Sequence, residues 1–217
     1  MAKRVGVLLS GCGVFDGSEI HEAVLTLYFL ARAGAAVVCT APNMNQHHVI
    51  DHFTQQETAE TRNVLVESAR IARGEIRDLA EMHAEDFDAL IVPGGFGAAK
   101  NLSDFAVKGT AAAVHPEVQR IFTEMLSAKK PVGAICIAPA TLVRAVSERS
   151  PEVTIGNDVG TASAIETMGG RHRDCPVDGI HVDEANRIVT TPAYMLGPGI
   201  ADVAMGIEKL VDQIMRM

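Results

Sequence analysis

The chain has 217 residues, of which 47% are hydrophobic, and its formal net charge is −8 at pH 7. This length and apolar content fit one α/β domain with an ample core, and the negative charge argues against a protein that binds nucleic-acid phosphates. No uncharged apolar run reaches about 18 residues, so we expect no membrane-spanning helix.

The first ten residues and the cysteines indicate a cellular location. The chain enters a strand-like segment at once, without a separate hydrophobic stretch and cleavage site, so we expect no secretory signal. Cys12, Cys39, Cys136 and Cys175 are far apart and form no paired metal-binding motif. We therefore predict a cytoplasmic protein with reduced thiols, no bound metal and no other cofactor.

The first predicted unit is a buried strand, Arg4 to Leu9, followed by a glycine-rich loop, Ser10 to Ser18. The glycines of this loop miss the G-x-G-x-x-G spacing of dinucleotide-binding loops, and no P-loop Lys-Ser/Thr pair follows, so nucleotide binding is not favoured. A helix is predicted from Glu19 to Ala33, with Gly34 as its C-cap. Glu22, in its first turn, either favours the helix dipole or faces a catalytic crevice.

The next predicted strand, Ala35 to Ala41, leads into a polar and irregular segment, residues 43–63. His47, His48 and His52 lie within this segment. They lack the H-E-x-x-H pattern, so a solvated loop or partner surface is favoured over a metal site. A helix is predicted from Thr61 to Arg73.

Phe87 to Pro93 is predicted as a further buried strand, and a glycine-rich turn follows it at residues 94–97. Glycines allow close backbone approach, so this turn can point N–H groups at a developing oxyanion, although a simple tight turn also uses glycine. Asn101 lies in the extension of the same loop. A helix from about His115 to Ala128 leads to the next strand.

Cys136 lies between a short uncharged strand, Pro131 to Ile135, and a helix over roughly Pro139 to Val146. Pro139 suits a first helical turn. A thiol at such a bend stands over the positive end of a helix, which favours the thiolate, as the serine does in hydrolase elbows. The alternative is an ordinary buried cysteine, but the junction favours a nucleophile.

The remaining predicted elements complete an alternating α/β pattern. They are a short strand at Val153 to Ile155, a helix at Ala162 to Met168, a β-hairpin formed by Ile180 to Asp183 and Arg187 to Thr191, and a closing helix at Ile200 to Met215. The pattern predicts one domain over residues 1–217, with a doubly wound, mostly parallel sheet flanked by helices and a late hairpin. Its site is expected at the carboxyl edge of the sheet.

Three loops together resemble the class I glutamine-amidotransferase-like superfamily, in its PfpI and Parkinson-disease-deglycase branch. They are residues 17–22 (Gly-Ser-Glu-Ile-His-Glu), 93–97 (Pro-Gly-Gly-Phe-Gly) and 134–139 (Ala-Ile-Cys-Ile-Ala-Pro). The sequence is similar above all to the ElbB type, which is named for isoprenoid biosynthesis and credited with glyoxalase activity. Residues 190–195 (Thr-Thr-Pro-Ala-Tyr-Met) carry the same likeness.

The resemblance implies roles for individual residues. Cys136 matches the nucleophile, Glu22 the acidic residue that faces it, and Gly95 and Ile137 the oxyanion amides. Gly94 and Asn101, from the same loop as Gly95, complete the predicted oxyanion and substrate-binding set.

One departure concerns the catalytic histidine. Many relatives place a histidine downstream of the cysteine, where this chain has Thr-Ile-Gly-Asn-Asp at residues 154–158. The late His-x-Glu of glutamine amidotransferases is also missing, since only His181-Val-Asp183 and His172-Arg-Asp174 occur. Amide hydrolysis is therefore disfavoured.

The resemblance implies a cofactor-free glyoxalase whose substrate is a small dicarbonyl such as glyoxal. It also implies that the protein is a homodimer. Cys136 would form a hemithioacetal and Glu22 would relay a proton, a chemistry that needs no imidazole. Two alternatives remain open: a deglycase that uses the same cysteine, and a redox-sensing or regulatory module with little turnover.

Overall fold

The computed structural model describes residues 2–217 and is built on a seven-stranded sheet. The strand order is β10-β11-β7-β6-β1-β2-β5. Every neighbouring pair is parallel except β10 and β11, which form the predicted late hairpin. The strands are β1 (Arg4–Leu8), β2 (Ala36–Ala41), β5 (Ile76–Asp78), β6 (Ala89–Val92), β7 (Val132–Ile135), β10 (His181–Asp183) and β11 (Ile188–Thr191).

Helices cover both faces of this sheet. They are α1 (Ile20–Arg32), α2 (Val64–Ile71), α3 (Phe96–Lys100), α4 (Phe105–Lys108), α5 (Pro116–Ser127), α6 (Ala138–Ala145), α7 (Val159–Thr167) and α8 (Ile200–Arg216). The apolar sides of α1, α2 and α8 pack on one face, and those of α5, α6 and α7 pack on the other. The predicted doubly wound α/β fold is confirmed.

Alternation along the strands explains why both faces need covering. In β6, Leu90 and Val92 point into the core under α5 and α6, whereas Ala89 and Ile91 point toward α1 and α8. Successive side chains of a strand point to opposite faces, so an all-apolar strand must be buried on both. All four residues are at most 1% exposed.

Parallel pairing brings the carboxyl ends of β6, β7 and β11 to one edge. Val92 is paired with Ala134, and Ile135 with Thr191, so the chain leaves all three strands at nearly the same level. The loops that follow these strands therefore meet at this edge. No helix within residues 2–217 combines the length and the hydropathy needed to span a membrane.

The segment at residues 43–63 differs from its predicted irregular structure. It contains an antiparallel hairpin of β3 (Val49–Asp51) and β4 (Gln56–Thr58). The backbone N–H of Ile50 donates to the Asp16 carboxylate at 2.8 Å, which fastens the hairpin to the first glycine-rich loop. Strands of three residues are too short to show a periodicity in sequence, and the same reason explains why β5 was missed.

Other boundaries also differ from prediction. Helix α7 begins at Val159, before the predicted start at Ala162, because the Asp158 side chain accepts a hydrogen bond from Thr161 N–H and caps it. Helix α2 begins at Val64 because the Asn63 side chain accepts a hydrogen bond from Val66 N–H and caps it, so the predicted start at Thr61 was too early. The short strand near residue 153 is β8 (Glu152–Val153), and it pairs with β9 (Arg171–His172) outside the main sheet.

Candidate active site

Cys136 lies at the bend between β7 and α6, as the sequence predicts. Its φ is +61°, in the left-handed region that a residue with a side chain rarely adopts. Its N–H donates to the carbonyl of Thr191 at 3.0 Å, so the end of β11 holds the bend in place. The side chain is only 7% exposed. A strained, well-anchored residue at a strand–helix bend is typical of a functional position.

Two backbone amides point at the sulfur of Cys136. The N–H groups of Gly95 and Ile137 lie close enough to it to lower the pKa of the thiol. Gly95 has a φ of +92°, and a Cβ there would run into the backbone of residues 17–19, so only glycine fits. The structure thus brings the predicted amide donors to the predicted nucleophile.

Glu22 reaches the same sulfur from α1. Its side chain is completely buried and lies beside the Cys136 thiol, whose pKa it raises. Oε2 accepts from Gly94 N–H at 2.8 Å, and Oε1 accepts from Tyr194 N–H at 3.2 Å. A Cβ on Gly94 would lie 2.7 Å from Glu22 Oε2 and would collide with Cys136 Cβ. Gly94 is therefore needed for the close approach of these two side chains.

Burial keeps both groups protonated near neutral pH. It raises the pKa of Glu22 from 4.5 to about 8, and the negative charge of Glu19 adds to the rise. Burial and the Glu22 charge also raise the pKa of Cys136 well above its ordinary value, although the amides of Gly95 and Ile137 oppose the rise. The prediction of a resting thiolate at Cys136 is therefore wrong, because desolvation outweighs the helix terminus.

A cavity of about 490 Å³ opens onto Cys136. Besides the cysteine, it is lined by Val14, Glu19, Gly95, Phe96, Ala99, Phe105, Ala106, Ile137, Thr161, Tyr194 and Met195. A larger cavity of about 800 Å³ lies at the starts of the strands, where it is lined by Arg4, Asp88 and Pro131 among others. That cavity is at the amino edge of the sheet, away from the sulfur, so the smaller cavity is the candidate active site.

Asn101 does not line this cavity. Its Nδ2 donates to the carbonyls of Ser10 and Asp16 at 2.8 and 2.9 Å, and its Oδ1 accepts from His47 N–H at 2.8 Å. The side chain ties three segments of backbone together. This placement differs from the predicted substrate-binding role, because all its hydrogen-bonding groups already face protein.

Sequence reasoning missed one polar pair beside the site. Tyr194 lines the cavity, and its hydroxyl is 2.7 Å from Nδ1 of His21, the residue before Glu22. Both residues occur in the motifs that carry the family resemblance, but no spacing in the sequence indicates that they meet. His172 and His181 lie beside β8 instead, next to Ile155 and Glu152.

Two of the three histidines of residues 43–63 have polar side-chain partners. His52 is 3.3 Å from Phe15 N–H and 3.8 Å from the Asp16 carboxylate, and His48 is 3.0 Å from Lys100 Nζ. In residues 2–217, no group of three or more His, Cys, Asp or Glu side chains is arranged to hold a metal ion.

The site combines a cysteine at a strand–helix bend with a buried carboxyl from α1 and two backbone amides. This combination, at the carboxyl edge of a parallel sheet, defines a class I glutamine-amidotransferase-like protein. The DJ-1/PfpI family model matches residues 11–159, and the chain belongs to this family. A crystal structure described as an isoprenoid biosynthesis protein with amidotransferase-like domain, from Ehrlichia chaffeensis, superposes with a TM-score of 0.92 at 41% identity, covering 98% of this chain and 99% of that one.

Curated relatives extend the likeness to eukaryotes. The human "Glutamine amidotransferase-like class 1 domain-containing protein 3, mitochondrial" is 47% identical over 226 residues, covering 100% of this chain and 84% of that protein. The rat "ES1 protein homolog, mitochondrial" is 46% identical, with 99% and 84% covered. Schizosaccharomyces pombe DJ-1, at 20% identity and a TM-score of 0.59, covering 97% of this chain and 90% of that one, shares the fold.

The human and rat relatives contradict the predicted cytoplasmic location, since both carry mitochondrial names. The prediction was wrong because it rested on unpaired cysteines and on the lack of the apolar segment of a secretory signal. Mitochondrial transit peptides are amphipathic and Arg-rich, so the lack of that segment does not bear on them.

Proposed function

We propose that this protein is a cofactor-free glyoxalase that converts glyoxal to glycolate through a hemithioacetal on Cys136. One observation carries the proposal: the buried Glu22 carboxyl and the amides of Gly95 and Ile137 lie around a single sulfur, which faces a cavity. This arrangement supplies a nucleophile, a proton carrier and an oxyanion site. It needs no histidine.

The reactive state is the Glu22–Cys136 pair after it has lost one proton. Two acidic groups in direct contact titrate as a unit, and the remaining proton is shared between Oε and Sγ. In the arrangement with the proton on Glu22, the sulfur attacks the aldehyde carbon. The Glu22 proton passes to the carbonyl oxygen, which gives the hemithioacetal and leaves Glu22 as a carboxylate.

Glu22 then acts as the base. It takes the proton from the hemithioacetal carbon, forming an enediolate, and returns a proton to the adjacent carbon. The hydroxyl proton of the first carbon moves to the oxygen of the second. The product is a thioester of the hydroxy acid. Water hydrolyses this thioester, which releases glycolate and regenerates the thiol. The sum is glyoxal plus water giving glycolate and one proton, with no net oxidation or reduction and no coenzyme. Each proton transfer by a positioned group contributes about 10²–10⁴-fold.

The protonation state of Cys136 bears on the alternatives. Thiols are oxidised through their thiolate form, and the raised pKa of the buried Cys136 thiol keeps that form scarce. Peroxide titration with mass analysis of Cys136 separates an enzyme from a redox sensor, because an inert thiol counts against sensing. A deglycase would use the same adduct chemistry on aldehydes already attached to amines, and a free dicarbonyl scavenger separates the two: repair that disappears with the scavenger is glyoxalase action.

The family resemblance also leads us to propose a homodimer. Ile20, Val24 and Tyr28 form a stripe along α1 at helical spacing, and each is 43–54% exposed. Sedimentation analysis of the purified protein tests this proposal.

The test of function is a metal-free assay of the purified protein with glyoxal, methylglyoxal and glutamine. We expect turnover of the dicarbonyls and none of glutamine. Cys136→Ser should lose about 10³-fold or more in kcat/KM, as removal of a catalytic nucleophile does. The matched control is Cys175→Ser, because Cys175 lies in the turn beside Gly179, outside the cavity. Near-normal turnover by Cys136→Ser would reject the proposal.

A further inference from the structure

We infer that the cavity beside Cys136 is built for 2-oxoaldehydes that carry an uncharged apolar tail, such as an aryl or alkyl group, in preference to glyoxal. This inference rests on the proposed function. It follows from the size of the cavity, from the chemistry of its walls and from its charge.

The walls of the cavity are mainly apolar. Apart from the glycine and alanine positions, the apolar lining residues are Val14, Phe96, Phe105, Ile137 and Met195. Phe96 is 44% exposed although it faces this concavity. Apolar surface that stays in contact with water inside a concave site gains free energy when a ligand covers it.

The volume is much larger than glyoxal requires. Sites of about 300–1,000 Å³ bury most of the surface of drug-sized ligands, and this one measures about 490 Å³. Glyoxal has no substituent beyond its two aldehyde groups, so it would contact the sulfur and the amides but leave the aromatic walls uncovered. A tail on the second carbonyl carbon would cover them.

The charge of the cavity disfavours anionic tails. Among the residues that the structure describes, Glu19 lines the cavity and no Lys or Arg does. Lys100 Nζ lies 4.6 Å from the centroid of the Phe96 ring, but it is not part of the lining and is held by the carbonyl of Phe15 and by His48. A carboxylate or phosphate on the substrate would be desolvated in an apolar cavity and repelled by Glu19. Glutamine, whose amino-acid end is zwitterionic, meets the same obstacle.

Glu19 and the backbone N–H of Tyr194 lie at the end of the cavity that holds the sulfur. Glu19 accepts a hydrogen bond from Glu22 N–H at 2.7 Å, and Tyr194 N–H contacts the Glu22 carboxyl. The cavity is therefore polar where the dicarbonyl reacts and apolar along Phe96 and Phe105. A 2-oxoaldehyde with an apolar tail likewise has a polar reacting end and an apolar remainder.

The experiment compares kcat/KM of the wild-type enzyme for glyoxal, methylglyoxal, longer alkylglyoxals and phenylglyoxal, with a carboxylate-ended alkylglyoxal of matched length. We expect kcat/KM to rise about 3- to 4-fold for each methylene that the cavity buries and the carboxylate to abolish the gain. Phe105→Ser should reduce this rise in kcat/KM with tail length. The control is Phe53→Ser, at the tip of the β3–β4 hairpin, where the side chain is 95% exposed, and it should leave the rise intact.

A second measurement does not depend on turnover. Cys136 is alkylated with iodoacetamide and with N-benzyliodoacetamide, and the ratio of the two rates is divided by the same ratio for free glutathione. We expect the benzyl reagent to be favoured about 10-fold or more at Cys136.

The two measurements separate the possible failures. Turnover of glyoxal with a flat or falling dependence on tail length would overturn the inference and leave the glyoxalase proposal standing. A benzyl preference at Cys136 without turnover of any aldehyde would reject the glyoxalase proposal while supporting an apolar ligand. A ratio equal to that of glutathione would overturn the inference in either case.

Discussion

The carboxyl group of Glu22 and the thiol of Cys136 lie side by side, although Glu22 lies on the first helix and Cys136 at the end of β7. Both groups are buried, and the ionised form of Glu22 raises the pKa of the thiol. They therefore form one titrating unit, whose first proton leaves near the pKa of Glu22, about 8. The chemistry proposed above starts from this singly deprotonated unit.

The pH dependence of catalysis follows from this relationship. The doubly protonated pair is inactive and predominates below the pKa of about 8, so kcat/KM for glyoxal should rise with pH up to that value. Glu19→Gln removes a negative charge that raises the pKa of Glu22, so the rise should move to lower pH. A profile that is flat from pH 6 to 9 would contradict this account of the pair.

The same group should make the protein less stable at alkaline pH. The pKa of Glu22 is raised from 4.5 to about 8, so between these values the folded state holds a proton that the unfolded state has released. Stability from this group is complete below pH 4.5 and is lost as pH rises through 8, with a limiting slope of about 1.4 kcal/mol per pH unit.

The Glu22→Gln variant tests that linkage. We expect the free energy of unfolding of the variant, measured by urea denaturation, to fall less steeply with pH between 4.5 and about 8 than that of the wild type. The variant should also lose most glyoxalase activity, because an amide has only one acceptor oxygen for the two N–H groups of Gly94 and Tyr194 and cannot relay a proton. Equal slopes in wild type and variant would show that Glu22 is ionised in the folded protein.

The close approach of the two side chains should depend on Gly94. In Gly94→Ala, the new methyl group would press on Cys136 Cβ and Glu22 Oε2, so we expect a loss in kcat/KM of about 10²-fold from misplacement alone. Gly160→Ala is the matched control, because a methyl group there lies no closer than 3.6 Å to another residue. Equal activity of the two variants would contradict the assigned geometry.

Asn101 should act on stability and not on substrate binding. Asn101→Ala removes three hydrogen bonds to backbone groups, and we expect it to lower the free energy of unfolding by about 3 kcal/mol. KM for glyoxal at a temperature where the variant is folded should be unchanged. A raised KM with unchanged stability would restore the predicted substrate-binding role.

The sequence predicted the main features of the site for physical reasons. Residues 131–139 combine an uncharged strand, a bend and a helix that tolerates Pro139 at its start, and the structure has this sequence of elements. The glycines at positions 94 and 95 indicated a close backbone approach, which the steric environment of both positions bears out.

Other features depend on tertiary contacts that no local pattern encodes. The protonation of Cys136 follows from its complete enclosure and from Glu22, whereas the residues around it predict only a helix terminus. The contact between His21 and Tyr194 joins α1 to the segment after β11, at positions far apart in the sequence. The walls of the cavity likewise come from the first glycine-rich loop, α3, α4, α7 and the segment after β11.

The most direct test of covalent aldehyde chemistry is mass analysis of the enzyme quenched in acid during glyoxal turnover. The hemithioacetal and the thioester both add the mass of one glyoxal molecule, and the account predicts this addition on the peptide that contains Cys136. The addition should disappear when the glyoxal is consumed. An unmodified Cys136 during rapid turnover, with or without adducts on other residues, would contradict the account.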